Sequence, residues 1–377
     1  MGTAFILALN AGGEAAGLHW SVSEDRLRAL GWDDAFAAAF APYAERCVPG
    51  RVTLEHQKIY RVSTADGEIL ARVRGRLRHL AERRDRFPAV GDWVAVQPGP
   101  GAADEGAIDA LLPRRSRFSR KVAGETTEEQ VVAANVDTVF LVTGLDHDFN
   151  LRRIERYLTT AWNGGARPVI VLNKADLAAD LPAMVRQVEA VASGAPIHVM
   201  SSKRGEGVDA LLAYLAFGQT VAFLGSSGVG KSTLINRLRG DERQRTAEVR
   251  VSDSRGRHTT THRELLELPG GGLLIDTPGM REVQLWEGSL DDAFADIHAL
   301  AAGCHFRDCR HDTEPRCAVA AAAEHGGLDP ARLESFRRLQ RELAVQARRQ
   351  DELLMLQEKK KNKVVHKAMR NVTKIRP

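Results

Sequence analysis

Hydrophobic and polar positions change rhythm along the chain. From residue 51 to about 120 they alternate: "RVTLEHQKIYRVSTADGEILARVRG" switches between apolar and polar residues and carries Asp66-Gly67, a pair suited to a tight hairpin turn. "VGDWVAVQPGPG" and "GAIDALLP" add short strands bounded by glycine and proline. About five short strands without a long helix predict a small barrel of the oligonucleotide-binding type.

From about 130 the pattern is strand and helix in turn. "VDTVFLVTG", "RPVIVLN", "PIHVMSS" and "TVAFLG" read as buried strands. "NLRRIERYLTTAW", "LPAMVRQVEAVAS", "GVDALLAYL" and "KSTLINRLRG" read as the helices between them. Further strands are expected near 263 to 268 and 272 to 276, completing a mostly parallel α/β sheet with helices on both faces. Such sheets bind ligands at the carboxyl ends of their strands.

Both flanks read as helical. In "DDAFAAAFAPYAE", Phe36 and Phe40 share a helical face, with Asp33 or Asp34 available as the cap. Beyond about 290 the chain turns helical around a Cys/His cluster and ends in a long charged helix. The expected division is an extension (1–50), an RNA-binding barrel (51–120), an α/β domain (121–285), a metal-binding region (286–335), and a charged helix with a basic tail (336–377).

Composition narrows the class. With 44% hydrophobic and 27% charged residues the chain is globular, and nothing suggests collagen, wholesale disorder or a membrane span. The apolar start "MGTAFILALNAGG" has no basic leading region, which argues against a signal peptide and for a cytosolic, cytoplasmic protein. Net charge is only +4, yet the stretch from Lys359 to Pro377 holds eight Lys or Arg and no acid, a field that attracts polyanions such as RNA. The barrel region is basic as well, through Arg72, Arg74, Arg76, Arg78, Arg83, Arg84, Arg114, Arg115, Arg117, Arg120 and Lys121.

"GSSGVGKS" (225 to 232) matches G-x-x-x-x-G-K-[ST] between a strand and a helix. Gly225, Ser226, Ser227, Gly228, Val229 and Gly230 would wrap phosphates with backbone N–H groups, with Thr233 following in the helix. Lys231 would reach the β- and γ-phosphates and Ser232 would ligate Mg²⁺. Asn173-Lys174-Ala175-Asp176 selects the base, because a carboxylate accepts from guanine N1–H and N2–H₂, donors that adenine lacks. Ser201 and Ser202, at the next strand end, would help hold it.

In "LLIDTPGM", Asp276 would hold the Mg²⁺ shell and Gly279 would donate to a γ-phosphate. One of Thr259, Thr260 and Thr261, with Thr260 as the candidate, would complete that shell. Met280 stands where a water-orienting glutamine is absent, so His258 is the candidate to handle the water proton.

Cys304, Cys309, His311 and Cys317 give a C-x4-C-x-H-x5-C set suited to tetrahedral structural zinc, with His305 as a competing imidazole; Cys47 stands alone.

With these pieces together, residues 51 to 320 resemble the circularly permuted ribosome small-subunit-dependent GTPase A family. The motif order carries the resemblance: base motif, then phosphate loop, then Asp-Thr-Pro-Gly, then the Cys/His set. It implies an α/β circularly permuted P-loop GTPase domain, an N-terminal β-barrel of the oligonucleotide-binding type and a C-terminal helical zinc-binding domain. It also implies late maturation of the 30S subunit, hydrolysis of GTP to GDP stimulated by that particle and its rRNA, and help in releasing an assembly factor. His258 would be catalytic and the four Cys/His residues would bind Zn²⁺. We expect a monomer without membrane contact. The alternative is an RNA-binding sensor gated by nucleotide occupancy with little turnover; an ATP-using enzyme is a distant third. Chain order adds one expectation: "HTTTH" and "DTPGM" lead toward the zinc region, so loss of the γ-phosphate would reposition that region rather than the barrel.

Overall fold

The computed structural model describes residues 22–56, 58–75, 77, 84–101, 104–121, 129–240, 263–276, 283 and 288–373. Strands β1 (Val48–His56), β2 (Ile59–Thr64), β3 (Gly67–Val73), β4 (Trp93–Gln97) and β5 (Gly106–Leu111) close into a barrel. They run in the order β1-β2-β3-β5-β4, and β4 returns to pair with β1. Alternation explains the closure: Val52, Val62, Val94, Val96 and Ile108 all point inward and are fully buried.

A hairpin, β6 (Arg117–Lys121) with β7 (Glu129–Ala134), follows where the sequence pattern gave no signal. The α/β elements are β8 (Thr138–Gly144), β9 (Arg167–Asn173), β10 (Ile197–Val199), β11 (Thr220–Leu224), β12 (Arg263–Glu267) and β13 (Leu273–Asp276). They are ordered β10-β9-β8-β11-β13-β12, parallel except for the edge strand β12. As expected from their apolar runs, β8 and β11 are buried at every position.

One predicted α-helix differs. Residues Val208–Tyr214 form a 3₁₀ helix, whose three-residue period sets Val208, Leu211 and Tyr214 on the same face, against one hydrophobic cluster.

The N-terminal segment packs as part of the core. Helix α1 (Val22–Ala29), which the sequence reading missed, buries Leu27. Helix α2 (Asp34–Phe40) is capped by Asp33, whose carboxylate accepts from the Ala35 and Phe36 N–H groups. Its Phe36 and Phe40 are buried, and Trp32 and Phe36 lie 4.6 and 5.8 Å from the Trp93 ring of the barrel.

Arg51 ties three segments together. Its guanidinium is buried and donates to the carbonyls of Leu30 in the N-terminal segment, Gly91 in the barrel (3.2 Å) and Asn135 beside β7 (3.0 Å). Burial pulls its pKa down to about 10, so it stays charged at neutral pH. Arg114, one of the basic residues counted in the barrel region, is likewise withdrawn, into a pair with the fully buried Asp92 at 2.7 Å.

Helices α3 (Leu151–Asn163), α4 (Leu181–Glu189) and α5 (Lys231–Leu238) belong to the α/β layer; α6 (Ala295–Ala301), α7 (Ala318–Glu324) and α8 (Pro330–Thr373) form the C-terminal part. A boundary at 336 falls inside α8, whose Leu333, Phe336 and Leu339 are buried in the same core as Ile154 and Leu158 of α3. The Glu155 carboxylate on α3 is fully buried, 2.9 Å from Arg332 of α8. Arg156 meets Glu342 through two bonds of 2.6 and 2.7 Å.

Edge strand β12 pairs with barrel strand β1 through Leu54↔Glu264 and Glu55↔Arg263. The stretch that ends in "HTTTH" therefore leads directly onto the barrel, and chain order alone does not exclude the barrel from nucleotide-linked movement.

Arg51→Met should lower stability by about 3 kcal/mol or more, because it orphans buried carbonyls that now accept from a charged donor. Urea unfolding followed by tryptophan fluorescence checks this, and an unchanged midpoint would show that those carbonyls find other donors.

Candidate nucleotide site and metal cluster

The base motif sits at the end of β9. Asn173 is fully buried and its amide is saturated: Nδ2 donates to Ser202 Oγ (2.9 Å) and to the Val229 carbonyl (2.7 Å), and Oδ1 accepts from Ser202 N–H (2.8 Å). One side chain thus fastens the second base loop and the phosphate loop to the first. Lys174 adopts a left-handed backbone, φ 61°. The next residues turn in a 3₁₀ helix that leaves Asp176 at the surface. Ser201 Oγ donates to Asp176 at 2.6 Å, and this bond holds the carboxyl below its usual pKa. A charged carboxylate with its remaining lone pairs facing outward is what a guanine edge requires.

The phosphate loop joins β11 to α5. Gly225 and Gly230 are required by packing: an added Cβ would lie 2.4 Å from the Val142 carbonyl and 2.3 Å from Asn173 Nδ2, respectively. Gly230 also caps α5 without a side-chain hydrogen bond at φ 97°, leaving the helix N-terminal N–H groups available to an anion. Val229 is buried, Ser227, Gly228 and Ser232 are exposed, and Thr233 is half-buried. The Lys231 ammonium lies 2.6 Å from the carbonyls of Gly225 and of Ser226, inside the loop it would share with phosphate. Asp276 ends β13, the parallel neighbour of β11. Ser232 and Asp276 offer hard oxygen donors, the set Mg²⁺ prefers. His258, Thr260 and Gly279 lie outside the described residues.

The loop from β8 to α3 supplies residues the sequence reading missed. Asp146 binds Lys174 Nζ at 2.6 Å; burial pushes its carboxyl up, but the lysine bond and the Asp148 N–H outweigh that and hold it low. Asp148 accepts from Arg153 at 2.6 Å and from Ser226 Oγ, while Arg153 also donates to Ser226 Oγ at 2.9 Å. These groups brace the base motif and the phosphate loop from one side. The only sequence signal for them was position, since "DHDFN" follows a buried parallel strand.

Farther along, Cys304, Cys309, His311 and Cys317 place their ligand atoms within 4.8 Å of one another. Cys304 Sγ is 3.6 Å from His311 Nδ1 and 3.9 Å from Cys317 Sγ, and Cys317 Sγ is 3.5 Å from His311 Nδ1. Tetrahedral zinc with Zn–S near 2.3 Å requires S···S separations of about 3.8 Å, so the set fits a metal ion. Burial lowers the pKa of His311, which favours the neutral, ligating imidazole. Burial pushes Cys304 up, but the Val319 and Ala318 N–H groups outweigh it and hold the thiol low. Cys309 is pushed up to about 11, first by burial and then by the Cys317 and Cys304 sulfurs. His305 stays outside the cluster.

Base motif and phosphate loop meet at the carboxyl end of one parallel sheet, in reversed chain order, beside a closed barrel and a Cys₃His cluster. Fold and site define a circularly permuted P-loop GTPase. The model of the RsgA GTPase family matches residues 111–286, and the chain belongs to that family; it is a GTP hydrolase. A second family model, described as 50S ribosome-binding GTPase, matches residues 220–366. A curated relative from Opitutus terrae, the small ribosomal subunit biogenesis GTPase RsgA, is 52% identical over 91% of this chain and 97% of its own length. The protein of that name from Syntrophotalea carbinolica is 42% identical over 90% and 95%. Among solved structures, YjeQ from Thermotoga maritima is 29% identical with a TM-score of 0.58, covering 79% of this chain and 98% of its own. YloQ, described as a circularly permuted GTPase, is 25% identical with a TM-score of 0.54 over 79% and 96%. No helix among the described residues is long and apolar enough to cross a membrane.

Asp176→Asn should weaken GDP binding by on the order of 10² or more and improve binding of xanthosine diphosphate, whose 2-oxo group accepts from the new amide. Competition of both nucleotides against a fluorescent guanine analogue checks this; an unchanged preference would remove Asp176 from the base site.

Proposed function

We propose that this GTPase acts in late maturation of the small ribosomal subunit in the cytoplasm. In this reading the 30S particle and its rRNA stimulate GTP hydrolysis, and the cycle helps release an assembly factor. The observation that carries the proposal is the union of the buried Asn173 clamp with the phosphate loop, in a chain whose relatives over nearly its full length are named for small-subunit biogenesis. Lys231 and the N-terminus of α5 bind the phosphates. Ser232 and Asp276, with Thr260, hold Mg²⁺, which supplies charge neutralisation on the phosphate oxygens. Gly279 donates to the γ-phosphate, and His258 handles the water proton because Met280 cannot polarise water. The protein works as a monomer, and the Cys₃His cluster holds one structural Zn²⁺.

GTP turnover measured with and without purified 30S subunits, mature and immature, should rise with the particle. His258→Ala should lose roughly 10²-fold or more of the stimulated rate while keeping GTP affinity. A rate indifferent to the particle would replace this reading with the nucleotide-gated RNA-binding sensor.

Zinc should be found at one ion per chain by elemental analysis. Cys309→Ser should lose the ion and melt earlier, since a structural site of this kind contributes about 10 to 16 kcal/mol of apparent binding energy to folding. Equal melting of variant and parent would argue against a structural metal.

A further inference from the structure

A large cavity lies away from the candidate nucleotide site, where the N-terminal segment, the barrel and the end of α3 meet. It is a groove of about 1190 Å³ lined by six arginines and two aspartates. Asp92 offsets Arg114 and Asp33 offsets Arg115 from outside the lining, and the groove remains positive. Such concentration in a concave site focuses the field on an anionic partner.

Four of these cations, Arg46, Arg74, Arg86 and Arg115, are exposed, whereas Arg114 is withdrawn into its pair with Asp92. Arg46 and Arg74 are exposed and reach Asp109 only at 3.5 and 3.6 Å, loose pairs of a kind worth about 0 to 1 kcal/mol. Arg86 is exposed and has no ion-pair partner among the described residues. Arg115 is fixed, lying 4.0 Å above the Phe36 ring and bonded to Asp33. Tyr43, half-buried on the wall, presents a ring with Arg46 5.9 Å from its centroid.

We infer that this groove binds single-stranded RNA, and that the N-terminal segment exists as its second wall. Guanidinium groups on both walls contact phosphates, Tyr43 stacks a base, and the Asp109 carboxylate accepts from an exocyclic amine. An acidic protein segment would use the cations but has no base to stack on Tyr43 and no exocyclic amine for Asp109, which makes RNA the better fit. The inference deepens the proposed ribosomal role and rests on it. It relocates RNA recognition from the open barrel face to a junction that also touches the GTPase domain at Gly164 and Gly165.

The test uses the full chain and a uridine oligomer of about 12 nucleotides, within the span one such barrel covers. Fluorescence anisotropy should show binding that weakens at least tenfold in the double variant Arg46→Glu/Arg74→Glu, with a shallower salt dependence. Arg338→Glu/Arg341→Glu, a charge-matched change on exposed positions of α8, should weaken it far less. Arg46→Gln/Arg74→Gln repeats the measurement should the charge reversal unfold the protein. A 4-thiouridine form of the oligomer should cross-link to the peptide bearing Tyr43. Equal losses in the two double variants, cross-links confined to the basic tail, or tighter competition by polyglutamate than by RNA would each overturn the inference. Because naked RNA is the probe, a failure of 30S-stimulated turnover in the parent protein would be seen separately and would count against the ribosomal role, not the groove.

Discussion

One buried carboxamide holds the nucleotide site together. Asn173 uses both hydrogens and its oxygen on Ser202 and Val229, groups that are fixed by two other strand ends. An amide buried this deeply costs about 1 to 3 kcal/mol for each partner it fails to find, so the two loops must converge on it wherever they stand in the sequence. Gly230 shows the same constraint from the other side, because no Cβ fits beside that amide. Reversal of motif order is therefore without consequence for the site. The parallel sheet delivers both loops to one edge, and the chain can be opened elsewhere as long as β9 and β11 keep flanking β8.

What could be read from sequence follows the range of the interactions involved. Strands buried on both faces declare themselves as apolar runs, and "RPVIVLN" and "TVAFLG" became β9 and β11. The Asp33 cap and the Phe36–Phe40 face were legible because they act within four residues. The Asp148–Ser226 contact joins residues 78 positions apart, and nothing local marks it. Nothing local marks the burial of Arg51 or Arg114 either: only tertiary structure shows a guanidinium enclosed by carbonyls or paired with Asp92. The 3₁₀ segment was read as α-helical because seven residues carry too little periodicity to separate a period of 3.0 from 3.6.

Helix α3 gives the three parts of the molecule a common member. Its 13 residues rise about 20 Å. At one end Arg153 touches Ser226 of the phosphate loop. Along its length Glu155 and Arg156 engage α8, which carries the metal region against the same core. At the other end Gly164 accepts from the Arg117 N–H as the chain turns from the barrel into β6. The metal region is thus fastened to this helix by ion pairs and by apolar packing around Leu333 and Phe336.

The barrel is attached differently. Between the phosphate-loop helix α5 and strand β12 the chain has 24 residues, from Arg239 to His262, and they hold the threonines and histidine expected to meet the γ-phosphate. Strand β12 follows that segment in the chain, and its other neighbour is β13 with Asp276. On its barrel side β12 is held by two register pairs, by Arg263 with Glu55 at 3.1 Å and by Glu264 with Arg61 of β2 at 3.5 Å. Burial raises the Glu55 pKa against the attraction of Arg263, so this ion pair sits in a partly dehydrated seam. The permutation therefore places the segment expected to meet the γ-phosphate one strand away from the barrel.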